Sequence, residues 1–274
     1  MKTTSIAFLT ALALFTSACN GEEAAPTTTI AADPDAVVLT VTSEGGFVPV
    51  EFNLDRMPRF VLTADRSLYF PGPSTEEFPG PILPNIRVAA LDAATYGEVM
   101  DLVEELGLED IGERVDDTGA DRVADATTEF ITYHDDEGAH RYGFYALGLT
   151  GGGSTDRLLA SEIIDVLDEA ASTLDSAAYE AERLQVAAGP PMQMEEALRT
   201  TRPWPLDASF EEMEDWGMGW HCSELSGPQV DDLLETFSDA NQATVWESES
   251  GEFAMRARPL LPGESACGNA PPTS

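Results

Sequence analysis

The chain has 274 residues, of which 50 are acidic and 14 basic, for a formal net charge of −36. Every basic residue after Lys2 is arginine. That balance excludes binding nucleic acid or an anionic membrane surface by charge, since both need a positive footprint. Two readings of the acidity stay open: a solvated surface, and specific cation binding.

The first stretch, MKTTSIAFLTALALFTSA, carries one charge at Lys2 and then an apolar run from Ile6 to Phe15. A bilayer span needs about 20 apolar residues, so the run reads instead as the core of a signal peptide over residues 1–18, ended by the small residues Ser17 and Ala18. Cys19 follows at once and resembles the lipobox cysteine of bacterial lipoproteins, which is diacylated and becomes the mature N-terminus. Thr16 stands where that family usually has Leu, and Thr16-Ser17-Ala18 also suits an ordinary signal peptidase, which would release a secreted protein. Residues 19–36 are rich in Thr, Ala, Pro, Glu and Asp, bury too little to offset their ordering entropy, and are expected as a flexible tether.

From Val37 the composition changes. AVVLTVTSEGG alternates and is β-branched, a strand ending in Gly, and RFVLTADRSLYFPGP reads as a hairpin turning at Ala64–Ser67. PGPSTEEFPGPILP has too many prolines for a regular element and is expected as an extended surface loop. Asp92 caps a helix whose apolar face is Tyr96, Val99, Met100, Val103 and Leu106, closed by Gly107. After an acidic loop reaching Asp125, TEFITY and HRYGFYAL make a hairpin around Asp135–Gly138. Past GGGS, Ser161 is expected to cap a second helix buried through Ile164, Leu167, Ala170 and Leu174, and LQVA to form a short strand. GWHCSEL reads as a strand, Pro228 starts a third helix buried through Val230, Leu233, Leu234 and Phe237, and TVWE with EFAMRAR makes a last hairpin around Ser248–Gly251.

A helix followed by a hairpin thus occurs at 92–147 and again at 228–258. The expected fold class is α+β, with antiparallel sheets each packed by a helix and two related helix-plus-hairpin modules, over residues 37–150 and 151–268, before a disordered tail at 269–274. With Cys19 set aside for lipid, Cys222 and Cys267 form an even pair, and in an oxidising compartment the expectation is a disulfide. Closing that loop is worth about 3–4 kcal/mol in the chain-entropy model.

No reaction-specific motif is present. The hairpin YHDDEGAHRY brings His134 and His140 to strands flanking an acidic turn, where they could share a metal with Asp135; Asp and Gly in a turn also have backbone reasons to be there. VDDTGAD, Asp116 to Asp121, lacks the alternating oxygen ligands of a calcium loop, and TGGGSTD has no Lys to make a phosphate cradle. G-x-S-x-G, H-E-x-x-H and C-x-x-C are absent. The Trp-rich stretch offers Trp204, Trp216 and Trp220 with Arg202, residue types that anchor interfaces, and equally types that fill a core against a disulfide.

The blocks VADATTEFITY, HRYGFYALG, WPLD, VWES and RPLLPGESAC resemble a family of uncharacterised secreted proteins and lipoproteins of actinobacteria, over most of the chain from Val37 to Cys267. The resemblance implies the Cys222–Cys267 pairing and lipoprotein-like export, and no activity or cofactor. The sequence therefore points to an exported, lipid-anchored protein on the extracytoplasmic face of the cell membrane, touching the membrane through its anchor. Its role is expected to be a non-enzymatic binding module for an envelope protein or a small ligand. The alternative is an extracellular hydrolase or a divalent-cation binder using acidic residues and the hairpin histidines.

Overall fold

Alternating apolar residues build the first sheet in the computed structural model, which describes residues 33 and 35–268 apart from 48–50, 76, 119–121, 150–152, 192–194 and 196–197. Its strands are β1 (Val37–Gly45), β2 (Phe60–Thr63), β3 (Ser67–Pro71), β4 (Ile86–Ala90), β5 (Glu113–Asp116), β6 (Thr127–His134), β7 (Ala139–Tyr145) and β8 (Ser176–Ala178). They lie in the order β5-β7-β6-β1-β2-β3-β4-β8. Neighbours are antiparallel except β5, which runs parallel to β7. The second sheet holds β9 (Arg183–Gly189), β10 (Thr200–Pro203), β11 (Glu214–Gly217), β12 (Trp220–Ser226), β13 (Thr244–Ser248) and β14 (Gly251–Pro259), ordered β10-β13-β14-β9-β12-β11. Here too one edge pair, β10 with β13, is parallel. The fold is mixed α+β with two sheets, and the parallel edges are where it departs from purely antiparallel pairing.

Four α-helices lie among the described residues, beside short 3-10 turns at Leu108–Asp110 and Phe210–Glu212: a single turn α1 (Glu51–Leu54), then α2 (Ala93–Leu106), α3 (Thr155–Thr173) and α4 (Pro228–Ser238). The Asp92 carboxylate accepts from the Ala94 and Thr95 amides, and Gly107 adopts φ 69° to end α2. Leu102, rather than Met100, joins Val99, Val103 and Leu106 on its buried face. Helix α3 begins two turns before the expected Ser161, because Ser154 accepts from the Arg157 amide. It packs beside α2 over the first sheet, through Leu159, Ile163 and Leu167 against Leu39, Val41, Ile131 and Phe144. Helix α4 covers the second sheet through Val230, Leu233 and Phe237. A helix precedes a hairpin at β6–β7 and again at β13–β14, yet the connectivity differs: β1 pairs with the first hairpin arm β6, whereas β9 pairs with the second arm β14, and α3 and β8, which follow residue 150, belong with the first sheet.

The proline-rich loop at 72–85 is not wholly superficial. Pro81 bridges to Asn241, and Ile82 is 1 % exposed within the second core. From Asp33 onward the described residues cluster as one compact unit. Cys222 and Cys267, 45 residues apart, are joined by a disulfide. Among the described residues no helix is long and apolar enough to cross a membrane. The signal peptide, Cys19, most of the tether and the tail at 269–274 lie outside the described residues.

Close backbone approach is required at Gly189, where a Cβ would sit 2.4 Å from the Trp220 ring, itself buried beside the disulfide. Gly97 in α2 has open space around it. Gly189→Ala is expected to lower stability by about 1–3 kcal/mol through overpacking, and Gly97→Ala to raise it by about 0.5–1 kcal/mol through lower unfolded-state entropy. Urea melts of the two variants check both signs.

Candidate functional site

The first sheet has one face under α2 and α3 and one face turned the other way. Because strand side chains alternate, Leu39, Val41 and Ile131 face the helices, while Thr40, Thr42, Thr132 and His134 face outward. Arg141 of β7 pairs with Thr132 and joins them. These residues floor a groove of about 780 Å³. Its walls come from elsewhere in the chain: Asn53 of α1 with Arg56 and Met57 just after it, Gln185, Trp216 and Arg258 of the second sheet, and Glu264, Ser265 and Gly268 of the C-terminal tail.

Both covering segments are held by a polar strip on the second sheet's face away from α4. Gln185 donates to the Leu54 carbonyl at 2.9 Å and accepts from the Cys267 amide at 3.2 Å. Arg256 lies 3.9 Å from Asp55, and Arg258 is 2.7 Å from Glu264. Burial pushes the Asp55 carboxyl up, and the Arg256 charge works against that shift. The tail is tied further by Arg183, which donates to the Glu264 carbonyl, by Trp216, which donates to the Cys267 carbonyl, and by the disulfide.

The charges lining the groove are three arginines and two glutamates, the reverse of the chain's overall balance. Both glutamates are already occupied. Glu44 accepts from Arg141 at 2.5 Å, and Glu264 accepts from Arg258 and from the Leu261 amide. Arg141 also lies over the Phe130 ring, its guanidinium carbon 3.5 Å from the centroid, and Gly143 leaves the space that the ring occupies. Arg56 differs: it donates to two backbone carbonyls, Ser43 at 2.8 Å and Gly45 at 3.5 Å, and pairs with no carboxylate among the described residues. Asn53, Thr132 and Ser265 make no side-chain hydrogen bond among the described residues.

The expected metal trio does not converge. The four-residue turn pairs His134 with Ala139 and Tyr133 with His140, so the two imidazoles leave the hairpin on opposite faces. His134 Nε2 meets the Thr40 hydroxyl at 3.3 Å in the groove, whereas His140 Nε2 meets Asp135 at 3.2 Å on the helix side. Asp135 is otherwise engaged by the Glu137 and Gly138 amides. No group of three His, Cys, Asp or Glu that could hold a metal is found among the described residues. In the acidic stretch, Asp116 ends β5, accepts from the Thr118 amide and lies 3.8 Å from Arg157, and residues 119–121 lie outside the described residues.

The tryptophan group divides as well. Trp216 and Trp220 are 5 % and 3 % exposed and pack with Leu54, Ala187 and Cys222 around the disulfide, so they are core residues rather than surface anchors. Trp204 sits at the opposite edge of the second sheet, its Nε1 donating to the Ala208 carbonyl, and Arg202 on β10 donates to the Asp239 carbonyl. Trp204 does border a second hollow of about 820 Å³, rimmed by Asp207, Glu211, Glu212, Glu247 and Glu249. Glu212 is engaged there in capping Ser209.

Arg56, Asn53, Gln185, Arg258 and Glu264 were not marked by the sequence. One signal was available: with so few basic residues in the chain, the MRAR run of β14 places two of them on a strand whose neighbours are apolar. No family model, curated protein or solved structure matches this chain.

Burial holds the His134 imidazole below its ordinary 6.5, with the nearby Asp135 charge opposing. As pH falls through 6.5 the unfolded chain takes up a proton that the folded chain resists, so stability drops. A His134→Gln variant is expected to show a flatter loss of stability between about pH 6.5 and 5 than the parent. Paired urea melts across that range measure the difference, and parallel curves would contradict it.

Proposed function

We propose that the chain is an exported protein of the cell envelope, held at the extracytoplasmic face by lipid on Cys19, and that it acts as a non-enzymatic binding module through the groove between its sheets. Export is supported by the leader over residues 1–18, by the tether, and by the Cys222–Cys267 disulfide, a bond that persists in oxidising compartments. The resemblance of its sequence blocks to actinobacterial secreted proteins and lipoproteins points the same way. In this reading the two helix-plus-hairpin halves are related modules, the first supplying the floor of the site and the second part of its walls.

The observation that carries binding over catalysis is the composition of the groove. It has the size of a ligand site, between about 300 and 1,000 Å³, and polar side chains free to bond. Its one hydroxyl–imidazole contact, Thr40 with His134, lacks an orienting carboxylate, because Asp135 is engaged by its own turn and by His140. The acidic hollow beside Trp204 offers carboxylates without a second feature that would recruit a cation. The hydrolase and cation-binding readings therefore have less support.

The lipid is tested by intact mass and detergent partitioning of the protein from its native membranes. The expected result is a chain starting at Cys19 with added acyl mass, partitioning into detergent, and a Cys19→Ala variant that is released. An unmodified soluble mature chain would overturn the anchor.

A further inference from the structure

We propose that the groove takes a small hydroxylated monocarboxylate, with its carboxylate on Arg56; this rests on the binding-module reading above. Charge matching selects the class. Glu44 and Glu264 are each neutralised by an arginine of their own, Arg141 and Arg258. Among the described residues, the charge left unmatched by a carboxylate in the groove is that of Arg56, whose guanidinium has five N–H donors and gives bonds to two carbonyls. A carboxylate meets such a planar fork with paired, charge-assisted hydrogen bonds.

Several features narrow the ligand further. One unmatched positive charge suits one carboxylate, and each additional negative charge on the ligand would be repelled by a protein of net charge −36. The floor is made by hydroxyls and an imidazole, while Met57, Pro58 and Trp216 line the walls, so the site suits a ligand body that carries hydroxyl groups on one side and carbon on the other. Asn53, Thr132 and Ser265 have side-chain donors and acceptors free to meet hydroxyl groups, which both give and take hydrogen bonds. A cation is disfavoured because both carboxylates are already paired.

Isothermal titration of the full mature protein, disulfide intact, tests this with gluconate, glucose, glucosamine and citrate as probes. Gluconate is expected to bind, with glucose, glucosamine and citrate each weaker by about tenfold or more, the size of a lost charge-assisted contact. Arg56→Gln is expected to weaken gluconate by a similar factor. Thr132→Trp, filling the floor, is expected to abolish binding. Arg199→Gln, at a half-buried arginine paired with Glu252 and outside the groove, serves as the neutral control. Circular dichroism checks that each variant is folded. Glucose binding as tightly as gluconate, and lost in Thr132→Trp, would overturn the carboxylate class and leave the groove as a binding site. Gluconate binding unaffected by Arg56→Gln and Thr132→Trp would overturn the location. Binding of none of the four probes would overturn both the ligand class and the binding-module reading.

Discussion

Two arginines lie buried on one strand, and the arrangement of the two sheets follows from the need to pair them. Arg256 and Arg258 are each 7 % exposed on the face of β14 away from α4. Breaking a buried pair by removing one partner costs about 3–5 kcal/mol. Asp55 answers Arg256 and Glu264 answers Arg258, and Gln185 on the neighbouring strand bonds to both segments that carry those acids. The segment after α1 and the C-terminal tail are therefore fixed on one polar strip, with Leu54 driven into the small core around the disulfide. A second contact, Val61, Ile86 and Leu261 with Tyr69 and Tyr179, joins the first sheet to the residues leading into the tail.

The groove is a consequence of this strip. Its floor is a sheet face that would otherwise be solvated, and its walls are the two segments that the buried arginines demand. The same pairing sets its electrostatics: in neutralising Glu264, Arg258 removes a negative charge from the site, and Arg141 does the same for Glu44. What remains is a locally positive hollow on an acidic protein. At about 0.1 M salt the screening length is about 10 Å, so a ligand seated on Arg56 feels that guanidinium more than the distant surface acids.

Local features were legible in the sequence, and long-range ones were not. The cap at Asp92, the stop at Gly107 and the hairpin turns at Ala64–Ser67, Asp135–Gly138 and Ser248–Gly251 are written within a few residues of each other, and the structure has them where expected. The edge strands β5, β10 and β11 carried no readable pattern because their pairing, as between Thr200 and Thr244, is what makes them strands. The histidine pair was misleading through parity: with a four-residue turn, positions 134 and 140 are one step out of register. The tryptophans clustered in sequence because Trp216 and Trp220 surround Cys222, and the signal of packing was Gly189, some thirty residues earlier, which makes room for the Trp220 ring. The groove draws on residues from Thr40 to Gly268, so no window of sequence contained it.

The most direct measurement is hydrogen exchange by mass spectrometry on the parent and on a Cys222→Ser/Cys267→Ser double variant. If one polar strip holds both walls, loss of the disulfide raises exchange in the tail at 260–268 and in residues 53–58 together, while α2 and α3 keep their protection. Exchange rising in the tail alone, with 53–58 unchanged, would contradict the account.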